Sequence, residues 1–158
     1  MTGLVRQIDK EAEYANIENT DSLRNTLETL YFESSISVST SGDNQNYYQA
    51  SDGNYYHHII DPTTLFPVAT NLHALTVVTD LSAGDAEALS KAFFILNYED
   101  GLVYYQSLQT LYPNNFIGVL WVYEIDQAPS SATHLINSEG FSLVHTDNLI
   151  EHSRLYRQ

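Results

Sequence analysis

The sequence predicts an α+β domain in which a mostly antiparallel sheet carries two consecutive helices packed on one face. Two segments with helical periodicity follow each other directly, at about residues 82–96 and 100–111. Segments of strand character lie before and after this helical pair and are separated by turn sequences, which indicates hairpins. Because strands and helices do not alternate one by one, the pattern does not fit a doubly wound parallel sheet.

The N-terminus has the least regular pattern of the chain. Its first residues are polar, acidic and aperiodic and predict a lead-in segment. Asp21 can then cap a short helix whose apolar face comprises Leu23, Leu27 and Leu30. The predicted division is a lead-in segment, an α+β domain and a tail, at residues 1–20, 21–150 and 151–158.

The next segments predict a strand and a hairpin. Residues 36–40 alternate apolar and polar side chains, as a half-buried strand does, and a turn cluster follows at 41–44. Residues 47–50 and 55–60 form a predicted hairpin around a Ser-Asp-Gly-Asn turn. Asp61-Pro62 ends the second strand, because proline cannot donate a hydrogen bond to a strand ladder.

The helical pair is predicted from capping and periodicity. Ser82 and Asp85 resemble a capping box, with aspartate in place of glutamate, that opens a helix reaching about Leu96. The second helix is stopped by Pro113. Apolar, β-branched runs predict the remaining strands at residues 72–79, 116–123, 133–136 and 141–146.

Length and composition limit the class of protein. The chain has 158 residues, a length typical of one domain with a single core. It contains no cysteine, which excludes disulfides, zinc sites with thiolate ligands and cysteine nucleophiles. No apolar run long enough to span a membrane and no signal peptide is recognisable, so the sequence gives no indication of cellular location.

The charge distribution restricts the ligands. A net charge of −14 argues against nucleic acids and anionic membrane surfaces as partners, because both are bound by clustered lysine and arginine. Between Arg24 and Arg154, Lys91 is the only lysine or arginine. An anionic ligand held by this part of the chain must therefore use Lys91, backbone N–H groups, protonated histidine or a bound metal.

Two adjacent histidines allow two interpretations. His57 and His58 are neighbours on a predicted strand, so they point to opposite faces and cannot bind one metal ion together. One interpretation is a strand histidine bonded to a backbone carbonyl. The other places one histidine at a ligand-facing strand end beside Asp61.

Two further sets of residues also allow both a structural and a functional interpretation. Residues 39–43, Ser-Thr-Ser-Gly-Asp, can bind a phosphate through backbone N–H groups or form an ordinary turn. Glu87 and Lys91 stand four residues apart on the first predicted helix, in the orientation that favours a weak surface ion pair.

Several segments together resemble one family. The sequences at 37–43, 56–64 and 86–96, followed by a closing hairpin at 136–142, are similar in order and spacing to the C-terminal half of the ApbE family. These proteins are FAD:protein FMN transferases, formerly described as thiamine biosynthesis lipoproteins. The resemblance covers about residues 20–148.

The resemblance implies an activity and a set of site residues. Family members split FAD with the help of magnesium and pass FMN to a threonine of a flavoprotein, and some hydrolyse FAD to FMN and AMP. They usually act outside the cytoplasmic membrane. The resemblance places five residues at the flavin-nucleotide cleft: Thr40, Ser41, Gly42, His58 and Asp61.

Two departures from the family pattern lead to a more restricted expectation. The N-terminal half of the family, which supplies much of the FAD pocket, has no counterpart in these 158 residues. The family's helix carries a metal-binding aspartate with a threonine four residues later, and these positions hold Glu87 and Lys91 here. Glu87 can still bind magnesium, whereas protonated Lys91 offers no lone pair and repels a cation.

Two function classes therefore remain. One is a partial or degenerate flavin transferase domain, and the other is a catalytically inactive flavin-nucleotide-binding or protein-interaction module with the same fold. In either case the chain alone is expected to be inactive. The expected partners are a flavin nucleotide, a flavoprotein acceptor, and either a second copy of the chain or a separately encoded N-terminal half.

Overall fold

The computed structural model describes residues 4–9, 12–18, 26–42, 47–49, 51 and 55–156, with backbone alone for 4–9, 12–18, 47–49 and 55. The strands in these residues are β1 (Leu4–Asp9), β2 (Ala12–Glu18), β3 (Thr26–Phe32), β4 (Ser37–Gly42), β5 (Tyr47–Gln49), β6 (Tyr55–His57), β7 (Leu72–Thr79), β8 (Ile117–Glu124), β9 (Leu135–Ser138) and β10 (Phe141–His145). The helices are α1 (Ala83–Ile95), α2 (Tyr98–Leu111) and α3 (Asp147–Ile150), followed by a 3-10 turn at Arg154–Tyr156. None of the helices among the described residues is long and apolar enough to span a membrane.

The described strands form three antiparallel sheets. The largest has five strands in the order β4-β7-β8-β10-β9, so β4 is one of its edges. A three-stranded sheet has the order β1-β2-β3, and β5 pairs with β6. The predicted α+β fold, with a mostly antiparallel sheet and a few helices, is confirmed.

The two long helices pack on one face of the five-stranded sheet. The side chains of β7 and β8 that point to this face are buried, as strand alternation requires. They pack against Phe93 and Phe94 of α1 and Tyr105 of α2. The sheet residues in this core are Leu72, Leu75, Val77, Ile117, Val119, Trp121, Tyr123 and Val144.

The opposite face of the same sheet is covered by β3. Leu30 and Phe32 of β3 pack with Leu149 of α3 against the alternate residues of the sheet. These sheet residues are Val78, Leu120, Val122 and Leu143. The five-stranded sheet therefore lies between a helical layer and a strand, and an apolar cluster packs on each of its faces.

The helix predicted to begin near residue 21 is wrong for the part of it that the structure describes. Thr26–Phe32 is strand β3, and its residues 28, 30 and 32 share the face that points into the core. Asp21 and Leu23 lie outside the described residues. Strands β1 and β2 fall within the predicted lead-in segment, and β2 pairs with β3; the division at residue 20 stays a prediction.

Other predicted elements are confirmed, some with shifted ends. Helix α1 starts with the predicted capping box, in which the Ser82 hydroxyl accepts from the Asp85 N–H and the Asp85 carboxylate accepts from the Ser82 N–H. Strand β7 has the predicted bounds. Strand β6 ends at His57, which is earlier than the predicted end at Ile60.

Candidate functional site

Three serines connect β4 with α1, and we call them the serine cluster: Ser39, Ser41 and Ser90. Ser39 and Ser41 lie two residues apart on β4, so both face α1, where Ser90 is fully buried. The Ser90 Oγ lies 3.1 Å from the Ser39 Oγ and 2.9 Å from the Ser41 Oγ. The Ser90 hydroxyl also donates to the Glu87 carbonyl oxygen over 3.0 Å. Each hydroxyl carries one proton, so the Ser41 hydroxyl is the donor to Ser90.

Glu87 extends the serine cluster to the surface. Its Oε2 accepts the hydroxyl proton of Ser39, and its Oε1 accepts from the ammonium group of Lys91. The side chains of Glu87 and Lys91 are 52% and 48% exposed. The hydrogen bond from Lys91, followed by that from Ser39, holds the pKa of the Glu87 carboxyl below its ordinary value.

The donor set around Glu87 does not suit a divalent cation. Both carboxylate oxygens already accept a hydrogen bond, and one of the donors is an ammonium group that would repel a metal ion. Magnesium also requires several oxygen ligands in octahedral geometry. Within the described residues, no group of three His, Cys, Asp or Glu side chains is placed to hold a metal ion.

The structure separates the two hydroxyl residues predicted at the nucleotide cleft. Ser41 belongs to the serine cluster, whereas Thr40 points to the other face of β4, where its Oγ1 lies 2.9 Å from the Thr76 Oγ1. Gly42 ends β4 and is half-buried. Thr40 and Ser41 therefore do not form one continuous surface, although they are adjacent in the sequence.

The two histidines differ in their surroundings. The Nε2 of His57 lies 2.9 Å from the Val68 carbonyl oxygen, and its Nδ1 accepts from the Ile59 N–H over 3.2 Å. His57 is thus bonded to a backbone carbonyl, as the first interpretation proposed. His58 follows the end of β6 and is exposed, which leaves its imidazole accessible to a ligand.

Asp61 builds a rigid turn after this histidine pair. Its Oδ1 accepts from the Thr63 N–H over 2.8 Å, and its Oδ2 accepts from the Thr64 hydroxyl over 3.2 Å. The bond from the Thr63 N–H is the main cause that lowers the pKa of the Asp61 carboxyl. The same turn holds Leu65 at a φ of 61°, a conformation that non-glycine residues rarely adopt. Asp61 is therefore occupied as an acceptor within its own loop.

The sequence indicated most of this site but not Ser90. The available signal was that Ser90 lies beside the apolar stripe of α1, which contains Ala86, Leu89 and Phe93. The structure also has a cavity of about 280 Å³ between α1 and α2. None of the predicted site residues lines that cavity, so the serine cluster with Glu87 and Lys91 is the better candidate site.

The family comparison and the similar curated proteins all indicate the same family. Residues 5–112 match the ApbE family. The FAD:protein FMN transferase of Treponema pallidum is 44% identical over 63 residues, which are 40% of this chain and 17% of that protein. The FAD:protein FMN transferase of Vibrio cholerae is 38% identical over 65 residues, 41% of this chain and 19% of that protein.

Solved structures share the fold. The ApbE protein of Thermotoga maritima has a TM-score of 0.64 at 22% identity, with 92% of this chain and 39% of that chain covered. The flavin transferase ApbE of Vibrio cholerae has a TM-score of 0.57 at 24% identity, with 88% and 37% covered. The chain thus spans about two fifths of these structures and a smaller part of the curated relatives.

Proposed function

The chain belongs to the ApbE family, and from this premise we propose that it carries part of a flavin-nucleotide site and binds FAD. The observation that carries the proposal is the family match over residues 5–112, which includes β4, the β5–β6 hairpin and α1. The two curated relatives support FAD as the ligand, because both are FAD:protein FMN transferases.

In this proposal the nucleotide approaches the end of β4 beside α1. His58 is exposed and offers an imidazole, and half-buried Gly42 ends the strand beside it in this proposal. Asp61 borders the site and fixes the loop after His58. Ser41 is buried and bonded to Ser90, so its role is to position β4, and Thr40 supports the same strand from its other face through Thr76.

The proposed activity is binding without transfer. The family reaction moves FMN from FAD to a threonine of a flavoprotein acceptor and uses a divalent cation to neutralise the pyrophosphate. The hydrogen bonds of Glu87 with Lys91 and Ser39 disfavour such a cation here. This observation favours a second candidate function, a catalytically inactive flavin-nucleotide-binding or protein-interaction module, over a complete transferase.

Incubation of the chain with FAD, magnesium and a threonine-containing flavoprotein acceptor tests both parts of this proposal. We expect FAD to be retained with the chain in ultrafiltration, with no FMN transferred and no AMP released by chromatography. FMN release well above a control without protein would contradict the proposed inactivity. Failure to retain FAD at any concentration up to millimolar would contradict the proposed ligand.

We also propose that the chain associates with a second copy of itself or with a separately encoded N-terminal half. The loop after β6 exposes three large apolar side chains, Ile60 at 44%, Leu65 at 75% and Phe66 at 69%. Apolar groups clustered at one loop commonly mark a surface that contacts a partner. Sedimentation of the chain alone should show self-association at tens of micromolar (about the range where weak interfaces form) that Phe66→Ser weakens. A monomer would contradict the second copy as partner, and a monomer that also fails to bind a separately encoded N-terminal half would contradict the proposal.

A further inference from the structure

Lys91 has a special position in the charge distribution of the chain. It is the only lysine or arginine between Arg24 and Arg154 in a protein of net charge −14. The structure places its ammonium group at the surface end of the serine cluster, in contact with Glu87. The only fixed cation in this long part of the sequence therefore stands beside the candidate nucleotide site.

We propose that the ammonium group of Lys91 is the cation of this site and binds a phosphate oxygen of the flavin nucleotide without a divalent metal ion. The proposal rests on the proposed function, since it names how that same site holds its ligand. It differs from the family expectation, in which the corresponding positive charge comes from magnesium.

The contacts of Lys91 support this role. A lysine ammonium group has three N–H donors, and Glu87 accepts one of them. The side chain is 48% exposed, so the other donors can reach a ligand. Glu87 is in turn bonded to Ser39, and Ser39 contacts the buried Ser90. The two hydrogen bonds to Glu87, one from Lys91 and one from Ser39, attach the ammonium group to β4 and limit the positions that it can adopt.

The same contacts explain why binding would not lead to transfer. The Glu87–Lys91 pair carries no net charge, whereas a carboxylate with a bound divalent cation carries a net positive charge. The ammonium group can position one phosphate oxygen through a hydrogen bond. Its single charge would stabilise the oxygen that leaves during FMN transfer less than the double charge of a divalent cation would.

Fluorescence titration of FAD with the whole chain, in EDTA and in magnesium, tests the inference. We expect the same affinity in both buffers. Lys91→Thr should weaken binding about tenfold, because a charge-assisted hydrogen bond is lost, and Lys91→Arg should restore most of it. Arg154→Thr removes the same charge from an exposed position in the C-terminal 3-10 turn and should leave the affinity unchanged.

The outcomes separate the inference from the proposed function. FAD binding that requires magnesium, or that is equal in wild type and Lys91→Thr, overturns the inference and leaves the proposed function intact. Absence of FAD binding in both buffers overturns the proposed function itself. As a second measurement, manganese is added to the isotopically labelled chain without FAD. Selective broadening of the amide signals around Glu87 at micromolar manganese would show a cation site there and overturn the inference independently of nucleotide binding.

Discussion

Two glutamates have similar partners in very different surroundings. Glu28 of β3 accepts the Ser153 hydroxyl over 2.7 Å, and its Oε2 lies 2.9 Å from the His145 Nε2. Glu87 of α1 likewise bonds to a serine and to a basic side chain. The side chains of Glu28 and His145 have no exposed surface, whereas Glu87 is half-exposed.

The difference in burial separates a structural cluster from a candidate binding site. Glu28 joins three distant parts of the chain, because β3, β10 and the C-terminal segment meet at its carboxyl group. The His145 Nδ1 has no hydrogen-bond partner among the described residues, so Glu28 is the partner that holds the imidazole. A buried polar group that loses its partner is costly, whereas an exposed ion pair contributes little. Glu28 therefore stabilises the fold, whereas the half-exposed pair of Glu87 and Lys91 is accessible to a ligand.

The largest expected effect comes from removing the buried carboxyl group. Glu28→Ala should lower the free energy of unfolding by about 3–5 kcal/mol, because it leaves His145 and Ser153 without their partner in the core. Urea denaturation measures the change. Glu87→Ala is the matched control and should cost about 1 kcal/mol or less. Equal losses of unfolding free energy in the two variants would contradict the distinction between a structural Glu28 and an accessible Glu87.

A smaller effect is expected from the serine cluster. Ser90→Ala should lower the free energy of unfolding by about 1–3 kcal/mol, because it removes the buried acceptor of the Ser41 hydroxyl. Ser107→Ala, at an exposed serine of α2 that bonds to the Val103 carbonyl, is the control and should be close to neutral. Ser90→Ala without loss of stability in urea denaturation would show that the cluster does not hold β4 against α1.

The smallest effect concerns the ion pair at the surface. The pKa of Glu87 is held below its ordinary value of 4.5, first by Lys91 and then by Ser39. A depressed pKa in the folded state contributes stability above the ordinary value, and this contribution is lost as the pH falls through the folded-state pKa. Because the pair is half-exposed, Lys91→Thr should cost less than about 1 kcal/mol at pH 7.

Two measurements check this prediction. The stability difference between wild type and Lys91→Thr should shrink as the pH falls below 4.5 and disappear once the pH is below the lower, folded-state pKa of Glu87. The carboxyl signal of Glu87 in NMR should titrate at a higher pH in Lys91→Thr than in wild type. A titration midpoint that does not move would mean that Lys91 has no influence on Glu87 in solution.

The same comparison shows why the sequence did not reveal β3. Its inner face reads Glu28, Leu30, Phe32, so a charged residue stands where an apolar one would mark a strand. Leu23, Leu27 and Leu30 meanwhile have a spacing that fits a helical face. The two side chains that bond to Glu28 lie 117 and 125 residues away, and no local pattern can indicate them.

Elements with local signals were predictable. The capping box of Ser82 and Asp85 fixes the start of α1, and the apolar run of β7 marks a strand buried on both faces. The spacing of Glu87 and Lys91 likewise predicted their ion pair. The bond from Ser39 to Glu87 was not predictable, because it depends on how closely β4 packs against α1.

The most direct test is to map where FAD binds on the isotopically labelled chain. The NMR chemical shifts of the backbone amides are measured as FAD is added. We expect the largest changes at Gly42, His58 and Lys91, the residues proposed to lie at the nucleotide. The amides of Glu28, His145 and Ser153 should not change, because their cluster is buried and structural. Changes centred on the Glu28 cluster, or no changes at β4 and α1, would contradict the assignment of the flavin-nucleotide site.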